Sequence, residues 1–351
     1  MNVIVTGGTG RLGANLIKSL VDKGHNVVAT LLKGDMQEPK LDGLKVEKAH
    51  LDITDTDAVI AVIKGADAVV HCAAVMEGME QKMPRARFFD INVKGAFSVL
   101  EGVRENGAQT RLVCMSSTSV YDVFSSPRTP IVEDQPRKPL TLYGMNKILV
   151  EEQVRQFAWE HDIAYTLIRP NYIVAGPEVL NVFTCKTVLG MLEGFADQIK
   201  TQMYCAEDPD GWKTVKSTLE KNADKLCVPR CPDDQSWRWH MTDVRDCVAL
   251  IEQCLEDDNA VGRTFNVAAA DACEWPEVIP YIGELTGREV VEVDIPNLWQ
   301  FSFDQSLSRD LLGFVSKYDH RAIVDKALAF QNNEETGIIA GVIGELAFGE
   351  E

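Results

Sequence analysis

The first half of the chain alternates short apolar runs, rich in β-branched residues, with longer amphipathic segments. Such alternation is typical of βαβ units, in which helices cover both faces of a parallel sheet. The apolar runs predict strands at Asn2–Thr6, Asn26–Thr30, Lys45–Leu51, Ala68–Cys72, Arg111–Ser116 and Ala164–Arg169. The segments between them predict helices at Arg11–Lys23, Asp55–Lys64, Arg85–Asn106 and Leu140–His161. The pattern therefore predicts an α/β fold around a doubly wound parallel sheet.

The pattern changes after Pro170. Residues 181–236 are rich in Lys, Asp and Glu and show helical stretches but no clear strand, which fits either a lid or a surface insertion. Strand-like and helical runs return at Trp237–His240, Asp243–Leu255, Gly262–Ala268 and Trp275–Thr286. We expect a sheet domain at 1–180 that about 237–268 rejoins, a smaller, mostly helical lobe at 181–236 and 269–336, and a tail at 337–351 whose role the pattern does not indicate.

Composition and charge narrow the class of protein. The 53 acidic and 35 basic residues give a formal charge of −18, which argues against binding to nucleic acid and to anionic lipid. No apolar run approaches the roughly 20 residues that a membrane helix needs, and the N-terminal stretch lacks a signal-peptide pattern. The nine cysteines show no framework spacing and are expected to be reduced thiols. These features predict a cytoplasmic protein that binds neither nucleic acid nor membrane.

A glycine-rich turn, Thr6-Gly7-Gly8-Thr9-Gly10-Arg11-Leu12-Gly13, separates the first strand from the first helix. Gly7 permits the tight turn, Gly10 lets a pyrophosphate approach the helix N-terminus, and Gly13 lets the helix pack on the sheet. A turn without a ligand can show the same spacing. Its place inside a βαβ unit favours a Rossmann-type, dinucleotide-binding domain.

The end of the second strand bears on which dinucleotide binds. An acidic residue there usually takes the ribose hydroxyls of NAD. Here the stretch is Thr30-Leu31-Leu32-Lys33, with no acid before Asp35. Lys33, together with Arg11, could instead pair with a 2′-phosphate, unless Lys33 is only a solvated loop residue. We therefore predict that NADP is preferred, with NAD as the alternative.

Tyr143 and Lys147 lie four residues apart on a predicted helix and hence on one face. A phenol with a pKa near 10 is a poor base at neutral pH, and an ammonium group one turn away would lower that pKa. The hydroxyl run Ser116-Ser117-Thr118-Ser119 follows the fifth strand, at the carboxyl edge where ligands bind such sheets. One of these hydroxyls could bond a substrate carbonyl. A Tyr-x-x-x-Lys pair also arises by chance on protein surfaces.

Taken in order, these motifs resemble those of the extended short-chain dehydrogenase/reductase family, also called the NAD-dependent epimerase/dehydratase group. The resemblance extends to about Lys326. Its motifs are Thr6-Gly7-x-x-Gly10-x-x-Gly13, Leu51-Asp52-Ile53-Thr54-Asp55, Asp67-Ala68-Val69-Val70-His71-Cys72-Ala73-Ala74, Asn92-Val93-Lys94-Gly95, Ser116-Ser117, Tyr143-x-x-x-Lys147, Leu167-Ile168-Arg169-Pro170, Trp239-His240-Met241-Thr242-Asp243-Val244 and Thr264-Phe265-Asn266-Val267.

The resemblance implies roles for individual residues. Tyr143 would be the general acid/base, Lys147 would bind the nicotinamide ribose and acidify the phenol, and Ser117 would orient the substrate. The implied cofactor contacts are Gly7, Gly10, Arg11, Leu12, Gly13, Lys33, Asp52, Ile53, Ala73, Ala74, Asn92, Ser116, Tyr143, Lys147 and Pro170. Asp52 would meet the adenine amino group. The two long helices Arg85–Asn106 and Leu140–His161 resemble the pair that forms the family's common homodimer interface.

Departures from the family's motifs narrow the range of reactions that the resemblance implies. Dehydratases and decarboxylases carry acids where this chain has Thr118 and Ser119, and sugar-nucleotide enzymes carry an Asn and an Arg where it has Tyr172 and Ser236. We predict an NAD(P)-dependent oxidoreductase that interconverts a hydroxyl and a carbonyl on a small polar substrate, such as a sugar or sugar acid. The substrate would face Thr118, Ser119, Tyr172 and Arg238. A sugar-nucleotide epimerase with tightly bound NAD is the alternative, and a non-catalytic dinucleotide sensor would be expected to lack Tyr143 or Lys147.

Other chemistry-bearing residues have simpler interpretations. His71 and His240 lie in apolar strands and are expected to be packed core residues. Cys227 and Cys231 have no second pair of ligands nearby, so no metal site is expected. Arg238 would share a strand face with His240 and could bind a carboxylate or phosphate.

Overall fold

The computed structural model describes residues 1–76, 79, 82–123, 129–196 and 203–341. Its centre is a seven-stranded, wholly parallel sheet with the strand order β11-β6-β5-β4-β1-β2-β3. These strands are β1 (Asn2–Thr6), β2 (Asn26–Leu31), β3 (Glu47–His50), β4 (Ala68–His71), β5 (Arg111–Met115), β6 (Ala164–Pro170) and β11 (Arg263–Val267). The prediction of a doubly wound, Rossmann-type α/β fold is confirmed.

Within the described residues, three pairs of short strands lie outside this sheet. They are β7 (Ile173–Val174) with β10 (Thr242–Asp243), β9 (Arg238–Trp239) with β12 (Cys273–Glu274), and β8 (Leu226–Arg230) with β13 (Val290–Asp294). The helices are α1 (Arg11–Asp22), α2 (Thr56–Ile63), α3 (Arg85–Phe89), α4 (Gly95–Asn106), α5 (Leu142–His161), α6 (Cys185–Phe195), α7 (Gly211–Lys221), α8 (Val244–Glu256), α9 (Trp275–Thr286), α10 (Ser306–Leu312) and α11 (His320–Gln331).

Apolar packing divides the described chain into two flanks of the sheet and one separate lobe. Helices α1 and α8 pack on one sheet face, through residues such as Leu16 and Ile251. Helices α2, α4 and α5 pack on the other face, through residues such as Val99 and Val150. A third cluster, rich in Trp and Phe side chains, fills the lobe that follows β6. Each layer excludes water from one apolar surface, which is the main source of stability for such a fold.

The register brings the carboxyl ends of the central strands to one edge. Thr6 at the end of β1 pairs with Thr30 on β2 and with His71 on β4. Met115 at the end of β5 pairs with Ile168, just before the end of β6. The loops that leave these ends therefore meet, and they carry the glycine turn, the hydroxyl run and the Arg-Pro motif.

Two predicted elements differ from the structure. The absence of a strand in 181–236 is wrong, because Leu226–Arg230 forms β8 and pairs with β13 more than sixty positions later. Such a partner leaves no local signal in an otherwise polar segment. The single helix predicted at Arg85–Asn106 is α3 and α4 joined by a π-helical turn at Asp90–Lys94. None of the helices in the described residues is both long and apolar enough to cross a membrane.

Candidate functional site

The glycine turn forms a tight cradle against the end of β4. Gly7 has φ +67°, and a Cβ added there would lie 2.8 Å from the Cα of Ala73. A Cβ at Gly13 would lie 2.2 Å from the carbonyl oxygen of Gly7, so the helix can approach the turn only with glycine at that position. The amide of Gly10 donates to the same carbonyl at 3.1 Å and closes the turn. Thr6 Oγ1 accepts the amide of Ala73 at 3.2 Å, which joins the two strand ends.

The start of α1 is suited to an anion. No side chain caps α1 at Gly10, and its first turn contains no acidic residue. The first amides of a helix have no intrahelical acceptor, and the helix dipole places partial positive charge there. With the Cβ-free surface of Gly7 and Gly10, these amides fit the pyrophosphate of a dinucleotide. The structure thus brings together Gly7, Gly10, Leu12, Gly13 and Ala73, five of the residues predicted to contact the cofactor.

Tyr143 and Lys147 lie on the first two turns of α5. Thr141 caps this helix by accepting the amide of Gly144 at 3.2 Å. Lys147 Nζ lies 5.7 Å from the centre of the Tyr143 ring, and it donates to the carbonyl oxygen of Met115 at 2.8 Å. Burial lowers the pKa of Lys147. The buried ammonium group is therefore held at the end of β5, close to the phenol whose ionisation it would favour.

In the hydroxyl run after β5, Ser116 and Thr118 donate hydrogen bonds to other protein side chains, whereas Ser117 can donate to a ligand. Thr118 Oγ1 donates to Asn171 at 2.9 Å and is buried, so its hydroxyl ties β5 to the chain after β6. Ser116 Oγ donates to Glu151 Oε1 at 2.6 Å. Ser117 accepts the amide of Ser119 at 3.1 Å, which leaves its own proton available to donate. Ser117 is thus the hydroxyl best placed to orient a substrate oxygen.

A buried charged pair lies below this run. Arg169, the residue before Pro170, donates from Nε and Nη2 to the two oxygens of Glu151, both at 2.7 Å. Hydrogen bonds from Arg169 and Ser116 are among the causes that lower the pKa of Glu151 to about 2, against the effect of burial. Sequence reasoning missed Glu151. The signal available was its position, one turn beyond Lys147 and two turns beyond Tyr143, on the same helical face.

Several predicted cofactor residues are already bonded to protein groups. Asp52 accepts Arg87 at 2.6 Å and Thr54 at 2.8 Å, and these bonds help lower its pKa. The side-chain amide of Asn92, in the π-helical turn, bonds both the amide and the carbonyl of Val75, at 2.8 and 3.1 Å. Asn92 therefore fixes the chain that leaves β4. Ile53 packs against Gly95, where an added Cβ would lie 2.9 Å away.

Arg11 turns away from the glycine turn. Its guanidinium donates to the carbonyl of Ile173, lies 3.4 Å from the carboxylate of Glu178 and stands over the ring of Tyr172. The described part of the predicted tail lies beside it, because Asn15 exchanges two 2.8 Å hydrogen bonds with the backbone of Ile339. The structure thus places Arg11 and Tyr172 together, at the junction of α1 and the chain after β6.

A second lysine, besides the expected Lys33, lies near the end of β2. Lys33 is exposed in the loop after β2. Lys40, which sequence reasoning missed, lies nearer the glycine turn, with Nζ 3.4 Å from the carbonyl oxygen of Thr9. Desolvation by burial lowers the pKa of Lys40. Asp35 accepts the hydroxyl of Thr9 at 2.5 Å, so its carboxylate braces the same loop.

Two residues considered for other chemistry are bonded within the protein. His240 is buried, with Nε2 2.9 Å from the carbonyl oxygen of Ala269, and Nδ1 accepts the amide of Phe303 at 3.0 Å. These partners fix one neutral tautomer, which confirms that His240 is a core residue. Arg238 lies 3.4 Å from Glu274, and the strand β9 that carries it ends at Trp239, before His240. No group of three or more potential metal ligands occurs within the described ranges.

Sequence similarity shows the family to which the chain belongs. The model of the NAD dependent epimerase/dehydratase family matches residues 3–268. The chain therefore belongs to that family, and the predicted family resemblance is confirmed.

Particular relatives span several activities. Dihydroflavonol 4-reductase of Solanum lycopersicum is 29% identical over 220 residues, 58% of each chain. UDP-glucose 4-epimerase of Corynebacterium glutamicum is 25% identical over 344 residues, 94% of this chain and 95% of the other. For the first curated relatives, the match spans only 51 to 58% of their own length. A short-chain dehydrogenase/reductase superfamily protein from Agrobacterium tumefaciens, solved with bound NAD, superimposes with a TM-score of 0.77 at 25% identity, over 95% of this chain and 100% of the other.

Proposed function

We propose that this protein is an NADP(H)-dependent oxidoreductase that interconverts a hydroxyl and a carbonyl group on a small substrate. The observation that carries the proposal is the position of Tyr143, Lys147 and Ser117 at the carboxyl edge of the sheet, beside the glycine turn. A bound nicotinamide supplies or accepts the hydride. Tyr143 gives or takes the proton at the substrate oxygen, the charge of Lys147 favours the phenolate, and Ser117 donates to that oxygen.

The charges beside the glycine turn support NADP as the cofactor. Strand β2 ends at Leu31, whose buried side chain stands where an acid would bind the ribose of NAD. The carboxylate of Asp35 accepts Thr9 and a backbone amide, so both of its oxygens have protein donors. Lys33 and Lys40 lie in the same loop and could pair with a 2′-phosphate. NAD, which the structural neighbour from Agrobacterium tumefaciens binds, is the alternative.

The substrate lobe supports a substrate without a nucleotide. Ser236 replaces an arginine found in sugar-nucleotide enzymes, and its hydroxyl donates to the carbonyl of Pro229 at 2.6 Å. Tyr172 replaces an asparagine, and the neighbouring Asn171 is bonded to Thr118 and to the carbonyl of His240. A diphosphate would therefore find neither of these two family contacts.

A sugar-nucleotide epimerase is the second candidate. The similarity to UDP-glucose 4-epimerase of Corynebacterium glutamicum covers nearly the whole of both chains, unlike the partial match to the reductase. An epimerase would use the same Tyr143 and Lys147 but would regenerate its dinucleotide in each cycle. Tight retention of that dinucleotide separates the two candidates.

The test begins with the protein purified without added cofactor. The protein is denatured, and any released dinucleotide is identified. We expect an empty protein that binds NADPH more tightly than NADH and consumes NADPH with some member of a panel containing D-glyceraldehyde, D-glucuronate and cyclohexanone. Tyr143→Phe should abolish turnover and keep NADPH binding, whereas Tyr165→Phe, which changes a hydroxyl at the far end of β6, should retain both. Stoichiometric NAD, with interconversion of UDP-glucose and UDP-galactose, would establish the epimerase instead.

We further propose that the protein is a cytoplasmic homodimer that pairs through the outer surface of α4 and α5. Phe89, Phe97 and Leu149 are 38, 39 and 36% exposed on this surface. With Val93 and Phe157 they line one apolar groove. A two-fold axis places the same surface patch of two copies face to face, so this exposed apolar patch would be covered by its own counterpart, and a second copy of the chain is the proposed occupant.

A further inference from the structure

The same face of α5 that carries Tyr143 and Lys147 also carries Glu151. These residues are spaced at four-residue intervals, so their side chains follow one another along the helix. Glu151 has no exposed side-chain surface, although carboxylates are rarely buried unless they are paired. The catalytic scheme proposed above does not use this carboxylate.

Five hydrogen-bond donors surround the two oxygens of Glu151. Oε1 accepts Ser116 Oγ at 2.6 Å and Arg169 Nε at 2.7 Å. Oε2 accepts Arg169 Nη2 at 2.7 Å, Arg155 Nη2 at 3.0 Å and Arg137 Nη1 at 3.2 Å. Charge-assisted, bidentate bonds of this kind fix both distance and orientation. Glu151 is therefore the point at which α5 is joined to its neighbours.

The partners of Glu151 are the strand ends that form the site. Ser116 directly precedes Ser117, and Arg169 directly precedes Pro170. Lys147 adds a third bond, from Nζ to the carbonyl of Met115. Arg169 also donates to the hydroxyl of Tyr121 at 2.5 Å, which extends the contact into the loop after β5. Moving Glu151 would thus move α5 relative to the hydroxyl run.

We propose that Glu151 is a positioning residue, which sets Tyr143 and Lys147 against Ser117 and supplies the negative charge that balances the arginines beneath the site. This inference rests on the proposed function for its meaning in catalysis. It also predicts that the charge of Glu151 changes the pH midpoint for ionisation of Tyr143, which a role in stability alone does not predict.

The charge effect has a defined sign. Without the carboxylate, the guanidinium groups of Arg169, Arg155 and Arg137 leave a more positive field along α5. A positive field favours the phenolate, so the pH midpoint for ionisation of Tyr143 should fall. Tyr143 and Glu151 are eight residues apart, about 12 Å along the helix. At effective dielectric constants between about 20 and 80, one charge at that distance moves the midpoint by roughly 0.3 to 1 pH unit.

Other ionisable groups face the same region and remain in every variant. Those near Glu151 and Lys147 are His71, Cys72, Cys114, Tyr121, Glu133 and Glu152, of which Glu133 is also near Asp304. Burial lowers the pKa of His71 to about 3 and raises those of Cys72 and Cys114 to about 12. These three groups therefore stay neutral from about pH 4 to about pH 11, the range in which the phenol is titrated.

The test compares Glu151→Gln with Glu152→Gln, both in a Phe97→Asp background, because Glu152 lines the groove of the proposed dimer and this background keeps it exposed to water. Glu152 bonds the same two arginines, Arg137 at 2.6 Å and Arg155 at 2.9 Å, but its side chain is 53% exposed and it bonds neither Ser116 nor Arg169. Ionisation of Tyr143 is followed by the ultraviolet difference spectrum of tyrosinate. Each variant is paired with the same variant carrying Tyr143→Phe, so that only Tyr143 contributes to the difference. This readout requires no substrate.

We expect Glu151→Gln to lower the midpoint by roughly 0.3 to 1 pH unit and Glu152→Gln to shift it by less than a third as much, because water screens the exposed charge. Equal shifts in the two variants, or a loss of thermal stability in Glu151→Gln without any shift, would overturn the proposal. Should Glu151→Gln not fold, Glu151→Asp keeps the charge and shortens the reach. Glu151→Asp should leave the pH midpoint of Tyr143 unchanged. It should slow NADPH consumption at least tenfold with the carbonyl probe, which is the compound of the panel that the native protein reduces. An unchanged rate would count against a positioning role. Failure of the proposed function appears separately, as a lack of NADPH consumption with every carbonyl in the panel.

Discussion

Gly144 offers a direct way to displace the proposed catalytic tyrosine without altering its chemistry. It follows Tyr143 in the first turn of α5, where the helix touches the loop after β5. A Cβ added at Gly144 would lie 2.1 Å from the carbonyl oxygen of Ser119 and 3.0 Å from Cβ of Pro139. The first of these neighbours is backbone and cannot rotate away. Gly144→Ala must therefore push the start of α5 away from the hydroxyl run.

The size of the displacement follows from the contact. Cβ atoms essentially never approach another heavy atom closer than 3.0 Å, so the two segments must separate by roughly 1 Å. A catalytic group misplaced by that much loses on the order of 100-fold in rate, and overpacking of this kind lowers the free energy of unfolding by about 1–3 kcal/mol. NADPH affinity should change little, because the added methyl meets Ser119 and Pro139 rather than the glycine turn.

The assay measures kcat/KM for the carbonyl probe, the Kd of NADPH and the midpoint of thermal unfolding. Gly190→Ala is the matched control, because Gly190 also lies within a helix, α6, and an added Cβ there meets no atom of the described residues within 4 Å. That change should leave the rate intact and stabilise the fold by about 0.5–1 kcal/mol. A Gly144→Ala enzyme with the rate of the native protein would refute the idea that the contact between Gly144 and Ser119 sets the position of Tyr143.

Three further predictions address the cofactor, the assembly and the pH dependence of stability. Lys40→Ala should weaken NADPH binding at least tenfold more than NADH binding in fluorescence titrations, while Lys45→Ala should affect both equally; equal losses in Lys40→Ala would remove the 2′-phosphate assignment. Phe97→Asp should convert a dimer into a monomer by light scattering, and Leu285→Asp, at an exposed position on α9, should not. Burial raises the pKa of Asp246 to about 6 from 3.8, so its folded-state proton stabilises the protein at low pH and this stability is lost as pH rises between about 4 and 6. The unfolding midpoint of the native protein should therefore fall relative to that of Asp246→Asn across this interval, and parallel curves would contradict the assigned shift.

The central sheet could be predicted because its inner strands carry their own signal, whereas the edge strand β3 is polar and partly exposed. Parallel strands covered on both faces are almost wholly apolar, and Val3 to Val5 and Ala68 to Val70 are buried as their composition predicts. Strand β8 lacked such a signal. Its partner strand is β13, and Pro229 within it has no backbone donor, so its strand character depends on a distant partner. Local composition could not show that partner.

In the candidate site, too, the features set by local sequence could be predicted, and those that depend on distant residues could not. The spacing of Tyr143 and Lys147 predicted a shared face, and the structure confirms it, because helical periodicity is a local property. The role of Glu151 depends on Arg169 arriving from a different strand. The expectation that Arg11 would meet a 2′-phosphate considered only its place after Gly10 and could not foresee Glu178, whose carboxylate comes from 167 positions later and holds the guanidinium.

The distribution of charge supports the proposal that this acidic chain binds a dinucleotide and acts on a substrate without a nucleotide. The pyrophosphate of the cofactor would meet the first amides of α1. The first turn of this helix contains no acidic residue, so no carboxylate competes with the pyrophosphate for these amides. A second diphosphate would instead have to attract Arg238 or Arg11, and these guanidinium groups already face Glu274 and Glu178. Taking either pair apart would expose an uncompensated carboxylate to the incoming phosphates, in a chain whose formal charge is already −18. A neutral carbonyl compound avoids that repulsion, which supports the proposal of a reductase or dehydrogenase of small substrates over an enzyme of nucleotide sugars.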